Sequence, residues 1–359
     1  MLAVARHHVR TAALVATLSA VVGGAGVGLA APDAGTLSIL GDPCFGAASR
    51  APGRLCQSPV LRGAVVPSPQ RARIFVPAAC DPLPRTGALF ACGWGAPAAT
   101  ATRTVALLGD SHAAHWRPAV ERVARRLGWR GVSMSRPGCP ITTAVPKLPT
   151  QALSLDCMRW NRAVQRWLAE RSQITVVFVS QHRGTVRPPP GQSSAAARQH
   201  GYLRAWRRML ADHVRHVIVL RDVPRATPGT LGCVARAIAA DRLAGPACAV
   251  PRRYALPPDP AAVAAGRPGT ASIQVADLSD VFCSPRLCPP VIGGALVHRD
   301  TQHLTRLFAR SLGPLLLVQV RRLTAAWRDR VTPAARPRAP RAHGGRARPS
   351  RPRAAARRW

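Results

Sequence analysis

Thr104-Val-Ala-Leu-Leu-Gly-Asp-Ser-His-Ala-Ala-His-Trp116 is the stretch whose reading decides the fold. Thr104 to Leu108 are apolar or β-branched and read as a buried strand. Gly109 and Asp110 turn the chain, and from His112 to Leu127 the spacing is helical, with arginines on the outer positions. Ser111 therefore stands where a strand feeds a helix. At such a corner a hydroxyl can be exposed, and the unpaired N–H groups of the helix start point into the same space. Acyl transfer needs both parts, a nucleophile and donors for the oxyanion. A Gly-Asp-Ser turn can equally be a simple helix cap, so its meaning depends on the rest of the chain.

Outward from this corner, strand and helix patterns alternate. Gly131–Ser135 reads as a second strand, Ile174–Ser180 as a third, His216–Leu220 as a fourth and Ser272–Ala276 as a fifth. Asp156 reads as the N-cap of a helix that places Trp160, Val164, Trp167 and Leu168 on one core-facing side. A helix over Ala196–His213 follows, and a final one runs from about Leu304 to Trp327. Strands separated by helices imply an α/β fold, a mostly parallel five-stranded sheet covered on both faces. Sites in such sheets lie at the carboxyl ends of the strands, which brings Ser111, Gly138, Gln181 and His182 to one crevice.

The chain has 359 residues, and 47% hydrophobic content is enough for a sizeable core. Its formal charge of +36 raises nucleic-acid binding. However, Lys147 is the only lysine, so the charge is an arginine bias, and aromatics at 4% leave few stacking platforms. No specific nucleic-acid partner is expected. Arg6, His7, His8 and Arg10 precede an apolar run from Thr11 to Ala31, so residues 1–31 read as a signal peptide or N-terminal anchor. The remainder is then extracytoplasmic. Ten cysteines agree with an oxidising compartment. Closeness in sequence suggests the bridges Cys139–Cys157, Cys233–Cys248 and Cys283–Cys288, with Cys44, Cys56, Cys80 and Cys92 pairing among themselves in an undetermined order. No cysteine or histidine spacing suggests zinc. Residues 32–100 read as an irregular Cys/Pro-rich extension packed on the main domain, which spans 101–327. Residues 328–359 read as a disordered Arg/Pro/Ala-rich tail.

A serine nucleophile needs a base. Asp110 and His112 flank Ser111, but neighbours along a turn point apart. The usable pair lies far downstream in His298-Arg-Asp-Thr-Gln-His303, where Asp300 and His303 are three apart before the last helix. That spacing lets the Asp300 carboxylate reach one imidazole nitrogen while the other faces the serine. The competing reading makes Asp300 the cap of the last helix and His303 a surface residue of its first turn.

Leu107-Leu108-Gly109-Asp110-Ser111-His112 resembles the first block of the SGNH (GDSL-like) hydrolase superfamily, and Asp300-Thr-Gln-His303 resembles its last. Gly-Asp-Ser-His-x-x-x-Trp, Pro137-Gly138-Cys139-Pro140, Cys283…Cys288 and Asp300-Thr-Gln-His303-Leu-Thr together resemble the extracytoplasmic SGNH domain attached to many acyltransferase-3 membrane proteins. The resemblance spans roughly residues 101–320. It implies a flavodoxin-like α/β/α sandwich and a serine-dependent O-acyltransferase or carbohydrate esterase. Its acceptor would be cell-envelope polysaccharide or peptidoglycan, and it would use no cofactor. Ser111 would be the nucleophile, His303 the base and Asp300 its orienter, with Gly138 and the Ser111 amide as oxyanion donors. The superfamily's asparagine after the third strand is missing, and Gln181, His182 and Arg183 stand there instead, with Gln181 the candidate substitute. The chain also lacks the many membrane helices of the acyltransferase-3 partner, so a separate membrane protein would deliver the acyl group. The alternative is a non-catalytic envelope-binding protein on the same scaffold.

Overall fold

A computed structural model describes residues 34–53, 56–74, 81–82, 89–325 and 327. The expected leader and tail lie outside these residues. Seven strands form the central sheet: β1 (Asp81–Pro82), β2 (Cys92–Gly95), β3 (Arg103–Gly109), β4 (Trp129–Ser135), β5 (Ile174–Ser180), β6 (His216–Leu220) and β7 (Ile273–Ala276). Their spatial order is β1-β2-β4-β3-β5-β6-β7. The strands β4-β3-β5-β6-β7 pair in parallel, the doubly wound order of a flavodoxin-like sandwich. β2 runs antiparallel to β4 and β1 to β2, so the Cys- and Pro-rich segment extends one edge of the parallel sheet.

The five parallel strands read as unbroken apolar runs because both of their faces are buried. Val105, Leu107, Val176, Phe178 and Ile218 point to one face. There they meet α1 (Ser111–Leu127) through Trp116, Val120 and Val123, and a C-terminal helical segment through Phe308, Leu316 and Val320. Ala106, Leu108, Val177, Val179 and Val217 point to the other. They pack on α2 (Gln151–Ala169) through Val164, Trp167 and Leu168, on α3 (Ser194–Asp212) through Tyr202, Trp206 and Met209, and on the short α4 (Pro260–Ala265). The alternation within β3 is thus a division between two cores, each fully buried side chain contributing about 2 kcal/mol.

The carboxyl ends of the strands are level, with Gly109 of β3 opposite Ser135 of β4 and Ser180 of β5. Gly109 makes the turn into α1 possible. Its φ is 153°, and a Cβ there would sit 1.8 Å from the Ser180 carbonyl oxygen. Gly109→Ala is therefore expected to destabilise the fold by roughly 3 kcal/mol or more, read as a lower urea midpoint, because neither strand can retreat without breaking its ladder.

Two sequence expectations are corrected. Asp156 is not an N-cap: α2 begins five residues earlier, where the Thr150 hydroxyl accepts the Leu153 amide at 3.1 Å. Gln151 to Leu155 contain no helix breaker, so the helix extends back to the first good cap. Asp156 instead pairs from within the helix with Arg136 and Arg159. The final helix is two, α5 (Arg306–Ser311) and α6 (Gly313–Thr324), broken at Leu312. Pro314 has no N–H to continue the ladder and takes a first-turn position in a new helix.

Among the described residues the disulfides Cys44–Cys56, Cys139–Cys157, Cys233–Cys248 and Cys283–Cys288 are formed, which include the three pairings expected from sequence proximity. Cys80 lies outside the described residues. No helix among the described residues is long and apolar enough to cross a membrane.

Candidate active site

Ser111 is the first residue of α1, capped by Asp110, whose Oδ1 accepts the His112 amide at 2.8 Å. The downstream pair arrives on the loop between a short hairpin (Val291–Ile292 with Ala295–Leu296) and α5. Thr305, not Asp300, caps α5, its hydroxyl accepting the Phe308 amide. Asp300 is left to shape a tight turn: Oδ1 accepts the Gln302 and His303 amides at 2.9 and 2.7 Å, and Oδ2 accepts His303 Nδ1–H at 2.8 Å. With Nδ1 occupied in this way, His303 Nε2 is the acceptor, and it lies 2.8 Å from Ser111 Oγ. Residues separated by 192 positions thus make one continuous serine–imidazole–carboxylate chain.

The Asp300 side chain is about half-exposed, at 43%. Its partial burial acts to raise the carboxyl's pKa. The bonds from the His303 ring and from the two amides outweigh this and hold it well below the usual carboxylate range. It therefore stays ionised and fixes the ring through any neutral pH.

Ser111 and His303 open onto a cleft of about 1120 Å³. Gly138 lines the same cleft, in a turn after β4 where the Cys139 amide bonds the Arg136 carbonyl and φ of Gly138 is 68°. Cys139–Cys157 and Asn161 fasten this turn to α2. The Asn161 amide donates to the Pro140 carbonyl at 2.9 Å and its oxygen accepts the Thr142 amide at 3.0 Å. The structure brings Gly138 and Ser111 to one space. It does not bring Gln181 there: that residue is 2% exposed and is not part of the cleft lining.

Behind the serine lies a feature the sequence reading set aside. His112 points away from the cleft and its Nδ1 lies 2.6 Å from Asp222 Oδ1, both side chains essentially unexposed. Asp222 follows β6, and no local spacing links it to His112, 110 positions away. The rings of His115, His182 and His303 surround His112, with centroids 4.5, 4.9 and 5.3 Å away. Burial pushes His115 well down and His182 and His298 to about 4. Among the described residues, no group of three or more His, Cys, Asp or Glu side chains could hold a metal ion.

A doubly wound sheet with a serine at the first strand end and a histidine–aspartate turn meeting it from the far end of the domain defines an SGNH-type α/β/α domain. The chain belongs to the family described as "SGNH domain (fused to AT3 domains)", whose model matches residues 80–317. The match takes in the edge strands β1 and β2. Among solved structures, the chain is similar to the periplasmic domain of a lipopolysaccharide acetyltransferase of Salmonella ser. Paratyphi A. The identity is 13% and the TM-score 0.47, with 62% of this chain and 83% of that one covered. No curated protein matches it.

Proposed function

We propose that this chain is an extracytoplasmic serine-dependent O-acyltransferase or esterase that transfers an acetyl group to, or removes one from, cell-envelope carbohydrate. The observation that carries the reading is the 2.8 Å contact of Ser111 Oγ with a His303 ring whose other nitrogen is held by Asp300. Ser111 Oγ attacks the ester carbonyl while His303 takes its proton. The tetrahedral oxyanion is met by the Ser111 and Gly138 amides. Collapse expels the donor alcohol, protonated by His303, and leaves acetyl-Ser111. A sugar hydroxyl or water, deprotonated by His303, then takes the acetyl group and restores the serine. The disulfides among the described residues fit an oxidising compartment outside the cytoplasm. A separate membrane protein supplies the acyl group when the reaction is a transfer, and polysaccharide or peptidoglycan is the acceptor.

The test is the intact mass of the protein after exposure to a fluorophosphonate, with the labelled peptide identified. One adduct on Ser111, absent in Ser111→Ala, together with Ser111-dependent aryl-acetate hydrolysis, is the expected result. Equal hydrolysis by the two proteins and no adduct would leave the envelope-binding reading in its place.

A further inference from the structure

We propose that His112 and Asp222 form a positioning couple for Ser111, clamping the first turn of α1 to the ends of β5 and β6 so that the serine hydroxyl meets His303. This rests on the reading of Ser111 as nucleophile. The nucleophile is the middle residue of Asp110-Ser111-His112, and both of its neighbours are tied into one buried network. On one side, Asp110 Oδ1 caps α1 and Oδ2 accepts the His182 amide at 2.8 Å, joining the corner to the chain after β5. On the other side, His112 Nδ1 bonds Asp222 after β6 at 2.6 Å. Asp222 is itself held from three directions. Its Oδ2 lies 3.3 Å from the Arg183 amide and 3.4 Å from Arg183 Nε, and its own amide donates to Asp259 Oδ2 at 2.9 Å. Two carboxylates and one imidazole thus bind the ends of β3, β5 and β6 together around a serine that takes no part in the network.

The chemistry of the couple suits that task. A buried carboxylate left alone would be costly, and a buried imidazole with no partner for Nδ1 would be free to turn. Burial works against charge on both groups. Their mutual attraction prevails, aided by Asp110 for His112 and by Arg183 for Asp222, so the His112 pKa is raised and the Asp222 pKa lowered. The other groups facing His112 are the rings of His115, His182 and His303. An ion pair fixed at both ends resists rotation of the α1 start more than a helix cap alone. The 2.8 Å contact between Ser111 and His303 has little slack, since a misplacement of about 1 Å can cost on the order of a hundredfold in rate.

The experiment compares His112→Gln, Asp222→Asn and the double variant with the full-length protein, on an aryl acetate, at a temperature where each is folded. The couple predicts that each single variant loses kcat by about a hundredfold, with KM within about threefold. The double variant should lose little more than the worse single one, because the two act as a unit. A second readout needs no turnover: with 15N-labelled histidine, the His303 Nε2 signal in His112→Gln should move toward its position in Ser111→Ala, since both lose the same contact. A folded His112→Gln with kcat within about twofold of the parent, losses that multiply in the double variant, or an unmoved His303 signal each overturn the proposal. Should Asp222→Asn fail to fold, His112→Gln carries the test. A parent protein without Ser111-dependent turnover refutes the proposed function instead, while the nitrogen signal still reports on the couple.

Discussion

Alanine at His303 is expected to lower kcat for aryl-acetate hydrolysis by about 10⁶, as deep a loss as Ser111→Ala, whereas Asp300→Asn costs about 10⁴. The first two are equal because neither half of a proton-transfer pair works alone. Without the ring, Ser111 Oγ–H has no acceptor 2.8 Å away, and without the hydroxyl the ring has nothing to activate. Asp300 differs in kind, since it touches no reacting atom. It holds Nδ1–H at 2.8 Å and stabilises the positive ring, and its two bonds to the Gln302 and His303 amides keep the turn in shape. An asparagine can preserve part of that turn but presents the ring with an amide that can favour the wrong tautomer. Half-exposed Asp300 also leaves room for water to replace some of the lost charge. Steady-state rates for the three variants, with fluorophosphonate labelling rates as the check on nucleophilicity, decide the matter. A His303→Ala protein within about tenfold of the parent would remove the ring from the mechanism.

The parts legible in the sequence were those written in local patterns. Strands β3, β5 and β6 announce themselves as apolar runs because both faces of a parallel sheet are covered. Gly109 is legible because only a residue without Cβ can turn so close to the Ser180 carbonyl. Asp300 and His303 could be paired by eye because their contact closes within three residues. What escaped was written across the fold. Asp222 looks like an ordinary strand-end aspartate until β6 is seen two places from β3 in the sheet, with His112 turned toward it. The same three-dimensional reason hid the role of β2. Cys-Gly-Trp-Gly has too short an apolar pattern to read as a strand, yet it finds the free edge of β4 and buries Trp94 against Gly131, where a Cβ would strike the indole ring. Gln181 shows the opposite failure. Position in the chain suggested a donor at the strand end, but Gln181 is buried and outside the cleft lining, while its neighbour His182 offers its amide to Asp110.

Acid should unfold this domain early, with stability falling steeply as the pH drops from about 6.5 toward 4. His298 is 6% exposed, with Nε2–H donating to the Pro224 carbonyl at 2.7 Å, and burial lowers its pKa to about 4. In the unfolded chain it takes up a proton near 6.5, so across that window the unfolded state binds more protons and gains on the native one. The difference of about 2.5 in pKa is worth at most roughly 3 kcal/mol. His115 and His182, both pushed down by burial, act in the same direction. Asp259 opposes them. Burial and the nearby Asp222 carboxylate raise its pKa to about 6, so its contribution is greatest in acid and is lost as the pH rises through that value. Asp110, whose pKa burial also raises, acts with Asp259, and the two carboxyls offset part of what the three imidazoles lose, so the net slope is expected to stay destabilising toward acid. Urea midpoints measured from pH 7 to 4.5 should therefore fall. His298→Gln should flatten the dependence by about one proton, and Asp259→Asn should steepen it by about the same amount, because the group that resisted the acid loss is gone. Opposite changes in slope from two buried residues follow only if one is held neutral against protonation and the other against ionisation. A His298→Gln curve parallel to that of the parent would mean that this imidazole is charged inside the native protein.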